Sequence, residues 1–295
     1  MTPERRNANS ATIAPKNRIR PTTITTSPSA DRRSTANAVT MQRIPTAYGR
    51  MSRWRSHTSA CYPLTRAITL VWASAPQCSL SVQGARIRAV VVDHVVLLVQ
   101  DAADCADDLR DRHGLGSERG PFLPFAGTRG YNLPLKPPSY VEILAIEDRV
   151  AAGSSESGRR ALACEAAGGG LLAWAVRVDD LEAVSARLGL EIFDYTIPHG
   201  DGTLRGWRAV SGPAYLPFFI DYPNNGDRLG RWQAMYERVG HTCAPTCFTE
   251  LTIGGSETEM AEWLGPNDLP LRFNHGSRGL CGARFATAGG EVALS

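Results

Sequence analysis

Apolar residues recur along this chain in three successive blocks of one kind. In the first block, residues 89–99 are nearly all apolar or β-branched, which is typical of a strand covered on both faces. Residues 101–112 carry alanines and a leucine at helical spacing and precede Gly114, which predicts a helix that ends there. Residues 121–135, broken by proline and glycine, predict two short strands, and residues 140–146 a further one. We therefore predict a βαβββ module.

The second block repeats this order. Residues 171–180 predict a strand that runs into a helix at residues 181–188. Residues 191–195 and 203–210 predict a hairpin, and residues 216–221 close the block as a strand. The two blocks together are predicted to form paired modules over residues 89–226.

The third block is weaker. It opens with a predicted helix over residues 228–239, which places Trp232 and Met235 on one face. The elements that follow are predicted at residues 248–253, 256–264, 271–273, 280–285 and 291–294. We interpret residues 227–295 as this helix plus a degenerate third βαβββ module that pairs with or caps the first two. The predicted class is α+β.

Residues 1–88 show no period of either kind and are predicted to be disordered, because they bury too little apolar surface to offset their ordering entropy. They hold 14 Lys or Arg and two acidic residues. Three interpretations compete: translation that begins near Met41, Met51 or later, a basic arm that contacts nucleic acid or a membrane, or a targeting segment with Arg66 before an apolar run.

Charge and cysteine content narrow the function classes. The remaining residues hold 18 basic and 27 acidic side chains, which argues against nucleic acid as the ligand of the folded part. Seven scattered cysteines form no C-x-x-C pair, so we expect a reducing cytoplasm. No apolar run reaches the roughly 18–20 residues that span a bilayer, so we expect no membrane partner.

Two candidate functional residues lie in predicted strands of the first module. Pleating places His94 on one face with Val96, and Glu142 on one face with Tyr140. Imidazole and carboxylate are ligands for Zn, Fe, Ni or Mn, so the pair predicts half of a divalent metal site. In the alternative interpretation, His94 hydrogen-bonds within a polar cavity and Glu142 pairs with an arginine.

Five motifs carry a resemblance to a known family. They are D-H-V-V-L-L-V-Q-D from Asp93, G-T-R-G from Gly127, Y-V-E-I-L from Tyr140, A-W-A-V-R-V-D-D-L from Ala173 and P-F-F-I from Pro217. In this order and spacing, residues 92–294 resemble the glyoxalase-like branch of the vicinal oxygen chelate superfamily. The resemblance implies two modules whose strands curl into a cup that holds the ligand and any metal.

The resemblance also implies a His from the first strand and a Glu from the last strand of each module. The first module keeps both, as His94 and Glu142, whereas the second has Ala173 and Phe218 at the matching positions. A slip of one residue would instead set Asp221 inside the cup. Leu123-Pro124 stands where the branch commonly has His-Pro, which weighs against a glyoxalase-type metal reaction.

Four further residues are candidates for substrate binding. Strand parity sends Arg177 into the cup, where a guanidinium suits a carboxylate, enolate or phosphate, unless it pairs with Glu142. Arg129 is a candidate for the cavity rim, unless it is a solvated loop arginine. Phe218 and Asp221 complete the set.

Two functions from different classes fit these residues. One is an enzyme with lyase, isomerase or dioxygenase chemistry, in which His94 and Glu142 act as catalytic base or as metal ligands. The other is a non-catalytic protein that binds and sequesters a small molecule. A nucleic-acid partner of the basic arm is a third possibility, and a homodimer is left open.

Overall fold

The computed structural model describes residues 68–71, 90–198, 204–223 and 228–295. Strand β1 (Ile68–Val71) pairs antiparallel with the last strand of the chain, so these four residues are an exception to the predicted disorder. The rest of that prediction lies outside the described residues, as does the hairpin turn at residues 199–203. No helix in the described part of the chain is long and apolar enough to cross a bilayer.

The first module has the predicted element order. Its elements are β2 (Val91–Leu98), α1 (Ala102–His113), β3 (Glu118–Arg119), β4 (Thr128–Pro134) and β5 (Tyr140–Ile146). Helix α1 begins where the side chain of Asp101 accepts two backbone N–H groups, and it ends at Gly114, which is left-handed with φ 66°. The prediction placed the first short strand within residues 121–135, but it lies just before them.

Two helices that the apolar pattern did not reveal connect the modules. They are α2 (Arg149–Ser154) and α3 (Glu156–Ala166). Their starts carry ordinary capping residues: Asp148 accepts from two backbone N–H groups, and Ser155 accepts from the N–H of Gly158.

The second module also follows the predicted order. Its elements are β6 (Gly170–Arg177), α4 (Leu181–Leu188), β7 (Phe193–Pro198), β8 (Leu204–Val210) and β9 (Phe218–Asp221). The two modules share one eight-stranded sheet in the order β3-β4-β5-β2-β6-β9-β8-β7. Their first strands, β2 and β6, are antiparallel neighbours at its centre, and each pairs in parallel with the closing strand of its own module.

Helix α5 (Arg228–Arg238) leads into the third module, which has the predicted βαβββ order. Its elements are β10 (Phe248–Gly254), α6 (Glu257–Leu264), β11 (Leu271–Asn274), β12 (Gly279–Thr287) and β13 (Gly290–Leu294). The strands form a separate five-stranded sheet in the order β1-β13-β12-β10-β11. The closing strand therefore lies away from β10, unlike in the first two modules.

The two faces of the eight-stranded sheet have different neighbours. One face carries Trp174 and Phe219 into a large core that includes Leu251 and Phe285 of the third module, so the third module caps the first two. The other face carries Val96, Leu98 and Leu144 into a smaller cluster with Ile197. This second face curls around a cavity, and we call it the cup.

Candidate active site

The cup encloses a cavity of about 330 Å³. Its wall is mainly apolar and aromatic. Polar groups lie at the end where β2 and β5 are side by side, and Arg160, Arg205 and Arg231 also line the cavity. The apolar wall includes Val96, Leu123, Leu144, Leu172, Ala173, Ile197, Trp207, Phe218, Ile220, Trp232 and Met235. A cavity of this size and lining suits a small organic molecule.

A β-bulge in β2 brings two neighbouring polar side chains into contact. Val92 pairs with Val176 and His94 with Ala175, so that two residues of β2 span one step of β6. The Nδ1 atom of His94 lies 2.9 Å from Oδ1 of Asp93, although pleating would send adjacent side chains to opposite faces. The bulge explains why the adjacent side chains of Asp93 and His94 can contact each other.

Asp93 is fully buried and has several hydrogen-bond donors. The hydroxyl of Tyr222 donates to its Oδ1 at 2.9 Å, and Nη2 of Arg228 donates to Oδ1 at 3.2 Å and to Oδ2 at 2.9 Å. Burial by itself would raise the pKa of Asp93, but the hydrogen bond with His94 and the charge of Arg228 outweigh burial and hold that pKa below its usual value. Asp93 is therefore an ionised carboxylate.

An ionised Asp93 sets the protonation pattern of His94. A carboxylate can only accept, so Nδ1 of His94 carries the hydrogen in this contact. In the neutral ring, Nε2 is then a bare acceptor, and it points toward Oε2 of Glu142 at 4.0 Å. His94 is thus held in the tautomer that can take a proton from a bound molecule.

Glu142 faces the same cavity from β5. It pairs with Val96 of β2 on one side and with Asn132 of β4 on the other. Burial raises the pKa of Glu142, His94 partly opposes this effect, and the charge of Asp93 adds to it. A carboxyl group that is easily protonated in an apolar cavity is typical of a general acid or base.

Aromatic rings hold the imidazole of His94 in place. Tyr140 stacks on it with centroids 4.6 Å apart, and Trp232 stacks on the other face of Tyr140 at 4.3 Å. The ring of Phe218 meets His94 edge-on at 5.4 Å. This packing restricts rotation of a side chain that is 4% exposed.

The opposite end of the cavity is aromatic. Tyr195 and Trp207, from the β7–β8 hairpin, stack with centroids 5.3 Å apart and planes 9° apart, and Phe125 lies 5.1 Å from Tyr195. Thr128 also lines this part, and its buried Oγ1 has no hydrogen-bond partner among the described residues. This end can hold the apolar part of a ligand.

The structure brings three of the six predicted site residues together. His94, Glu142 and Phe218 line the cavity. The pairing of Ala175 with Phe218 sets Phe218 and Ile220 inside, so Asp221 faces outward, where it accepts from Nε of Arg208 at 2.9 Å. The one-residue slip is thus not seen, and Asp221 is not part of the wall.

The two predicted arginines also lie outside the cavity wall. Arg129 donates two hydrogen bonds to Glu147, at 2.5 and 3.0 Å, on the other face of β4. Arg177, at the end of β6, is half-buried, and burial lowers its pKa while the charge of Asp93 opposes this effect. Arg177 does not line the cavity, although it pairs with Ile220, which does. The salt bridge to Glu142 is not formed either.

Sequence reasoning missed the residues that surround Asp93. Arg228, Tyr222 and Trp232 line the cavity, and the first two donate hydrogen bonds to Asp93. The sequence analysis noted Asp93 only as the first residue of the motif D-H-V-V-L-L-V-Q-D, and Arg228 only as the first residue of a predicted helix. An acidic residue in an otherwise apolar buried strand was the one signal available, because such a group requires a partner.

The side chains present do not complete a metal site of the type that the resemblance implies. His94 pairs with Ala175 and Val96 with Ala173, so a two-fold rotation that exchanges the strands superposes His94 on Ala173. The same rotation takes Glu142 to Phe218. Neither Ala173 nor Phe218 offers a donor, and no group of three His, Cys, Asp or Glu in the described residues is placed to hold a metal ion. Catalytic zinc sites use three protein ligands.

The comparisons with known proteins agree with this fold. The model of a family described as a glyoxalase-like domain matches residues 92–266. No curated protein matches the chain. A hypothetical protein from Staphylococcus aureus has a similar structure, with a TM-score of 0.53 and 12% identity over 68% of this chain and 97% of that one. This likeness shows the fold alone.

Two methylmalonyl-CoA epimerase structures are more distant. One is 22% identical with a TM-score of 0.36 and covers 48% of this chain and 100% of its own. The other, from Mycobacterium tuberculosis, is 18% identical with a TM-score of 0.34 and covers 46% of this chain and 90% of its own. Such low scores say nothing about the chemistry of this chain.

Proposed function

The chain belongs to the glyoxalase-like domain family of the vicinal oxygen chelate superfamily, and we propose that its cup binds a small oxygenated molecule and exchanges a proton with it. In this proposal, Nε2 of His94 takes a proton from a carbon next to a carbonyl group, and Glu142 gives or takes a proton on the same side of the ligand. The reaction class is isomerase or lyase.

The observation that carries the proposal is the line Asp93–His94–Glu142 within an apolar cavity. Asp93 fixes the tautomer, and the bare Nε2 and the carboxyl group of Glu142 lie 4.0 Å apart. A positioned side chain that moves a proton in this way contributes about 10²–10⁴-fold to a rate. Proton transfer needs only these side chains, whereas dioxygenase chemistry requires a metal for which the cup supplies two donors.

The shape and lining of the cavity support the ligand class. A volume of about 330 Å³ is at the small end of ligand cavities. The apolar and aromatic part of the wall suits the carbon skeleton of a ligand, and the polar groups of the wall accommodate an oxygen atom.

Non-catalytic binding is the second candidate function. The aromatic group of Phe125, Tyr195 and Trp207 favours it, because stacked rings can hold a flat molecule without any chemistry at the other end.

Proton exchange separates the two functions. Small ketones, keto acids and aromatic carbonyl compounds would be screened by NMR for binding to the full chain, and then followed in D₂O for exchange of the hydrogen next to the carbonyl. Catalysed exchange in the wild type that falls at least 100-fold in His94→Gln, with binding retained, supports the enzyme. Arg129→Gln, outside the cavity, is the control and keeps full exchange.

If the wild type binds a compound without catalysing exchange, the non-catalytic binding function is supported. If it binds no compound, both proposed functions are rejected. Treatment with a chelator is expected to leave exchange unchanged, and a loss of exchange that Zn, Fe, Ni or Mn restores would contradict proton transfer by side chains alone.

A further inference from the structure

We propose that Arg228 binds the carbonyl oxygen of the ligand through Nη1, an inference that rests on the proposed function of the cup. The guanidinium of Arg228 has two terminal nitrogens, and only one has a partner. Nη2 donates to both oxygens of Asp93, at 3.2 and 2.9 Å. Nη1 is buried and has no acceptor among the described residues.

An unpaired Nη1 at this position calls for an acceptor. The side chain of Arg228 is 4% exposed, so water does not reach it freely. A buried donor without a partner is costly, and hydrogen bonds to charged groups are among the stronger ones in proteins. Arg228 forms part of the cavity wall, so a ligand in the cup is the available source of an acceptor.

The guanidinium is held rigidly in this place. Its central carbon lies 3.7 Å from the centroid of Tyr222 and 5.5 Å from that of Trp232, within the range of cation–π contacts. Together with the bonds to Asp93, these contacts fix the direction of Nη1. A donor whose position is set before the ligand arrives loses little freedom on binding.

The proposed acceptor is a neutral carbonyl oxygen. Asp93 already compensates the charge of Arg228, so Nη1 needs an acceptor but not a second anion. A carbonyl oxygen enters as a neutral acceptor and gains negative charge only when the neighbouring carbon loses its proton. Donors aimed at such an oxygen stabilise the transition state more than the bound ground state.

The base and the proposed donor share one atom of Asp93. Its Oδ1 contacts both Nδ1 of His94 and Nη2 of Arg228, so the two groups lie at the same end of the cavity. The C–H bond breaks, its proton goes to Nε2 of His94, and its electron pair forms the C=C bond of an enolate. The carbonyl π pair moves to the oxygen beside Nη1, and return of the proton to carbon restores the ketone.

A matched pair of probes tests this inference. Propiophenone and propylbenzene have the same carbon skeleton and differ by the carbonyl oxygen, and their dissociation constants can be measured by NMR titration of the full chain. We expect the wild type to bind the ketone about tenfold more tightly. In Arg228→Lys, which keeps one charged nitrogen for Asp93, we expect this preference to fall below about threefold. Arg129→Lys, outside the cavity, is the control and keeps it.

A second variant covers the case in which Arg228→Lys does not fold. The double change Asp93→Asn with Arg228→Met removes both buried charges together, and it too is expected to lose the preference for the ketone. Equal binding of both probes by the wild type, or an unchanged preference in the variants, would overturn the role of Arg228 and leave the binding cup intact. If the wild type binds neither probe, this inference fails, whereas the proposed function fails only if no compound of the screen binds.

Discussion

At the scale of single residues, the site depends on a buried charge and on the groups that compensate it. Asp93 has no exposed surface, and in return for its desolvation it receives hydrogen bonds from Tyr222, Arg228 and His94. The same contacts select the tautomer of His94. The carboxylate of Asp93 therefore takes part both in the buried ion pair with Arg228 and in the hydrogen bond that orients His94.

Asp93→Asn is expected to destabilise the protein by about 3 kcal/mol or more, because it leaves Arg228 buried without a countercharge. The matched control is Glu118→Gln, which removes the exposed pair with Arg238 and is expected to cost less than about 1 kcal/mol. Urea denaturation at pH 7 measures both changes. Equal losses for the two variants would show that the buried pair contributes no more than a surface pair.

Glu142→Gln is expected to stabilise the protein at neutral pH. Burial raises the folded-state pKa of Glu142 above the usual 4.5, so the folded state holds this proton more tightly than the unfolded state does. Stability is then lost as the pH rises from the unfolded value through the folded value. The advantage of Gln should be near zero at pH 4.5 and grow toward pH 8, as measured by urea denaturation across this range.

Glu147→Gln provides a control of opposite sign. The hydrogen bond from Arg129 lowers the pKa of Glu147, so its contribution is present at neutral pH and is lost as the pH falls through the folded-state pKa. A Glu142→Gln effect that did not depend on pH would contradict burial as the cause.

At the scale of elements, the strands and helices that form the cup differ in how clearly the sequence predicts them. Strands β2 and β5 were predicted within two residues and β6 within three, because buried strands need unbroken apolar runs. Helices α2 and α3 were missed, since both are short and have few large apolar side chains. Yet α3 supplies Ser157, Arg160 and Ala161 to the cavity wall.

The pairing of β4 with β5 requires a glycine at position 130. A Cβ on Gly130 would lie 1.6 Å from the backbone oxygen of Ile143, so Gly130→Ala must push the two strands apart. We expect a loss of about 1–3 kcal/mol or more. Gly153→Ala, in α2 with open space around the added methyl group, is the matched control and should stabilise by about 0.5–1 kcal/mol. Thermal denaturation followed by circular dichroism distinguishes the two signs.

At the scale of the whole folded region, the third module serves as a cover for the sheet behind the cup. Trp263 of α6 donates from Nε1 to the backbone oxygen of Pro217 at 2.9 Å, and its ring lies 5.7 Å from Phe219. Pro217 and Phe219 flank Phe218, which lines the cavity. The packing of the third module thus reaches the strand that holds one side of the site.

Trp263→Ala is expected to cost about 3–5 kcal/mol, because it leaves a large hole between the two sheets and an unpaired carbonyl at Pro217. Val150→Ala is the control, since that side chain is 85% exposed and its loss should change stability by less than about 0.5 kcal/mol. Chemical denaturation measures both. A small loss for Trp263→Ala would mean that the third module contributes little to the rest of the fold.

The sequence by itself determined the three βαβββ blocks and the inward direction of His94 and Glu142. These follow from local period, since apolar spacing and pleating act between residues that are close along the chain. Only the tertiary structure decided that Asp93 orients His94. A bulge turns the side chain of Asp93 toward His94, and the charge of Asp93 is compensated by Arg228, which lies 135 positions away in the sequence. The tertiary structure also decided that Arg129, Arg177 and Asp221 do not line the cavity, since the residues of a strand that reach a cavity depend on its neighbours in the sheet. Long-range contacts of this kind depend on how the modules pack, and no local pattern encodes that packing.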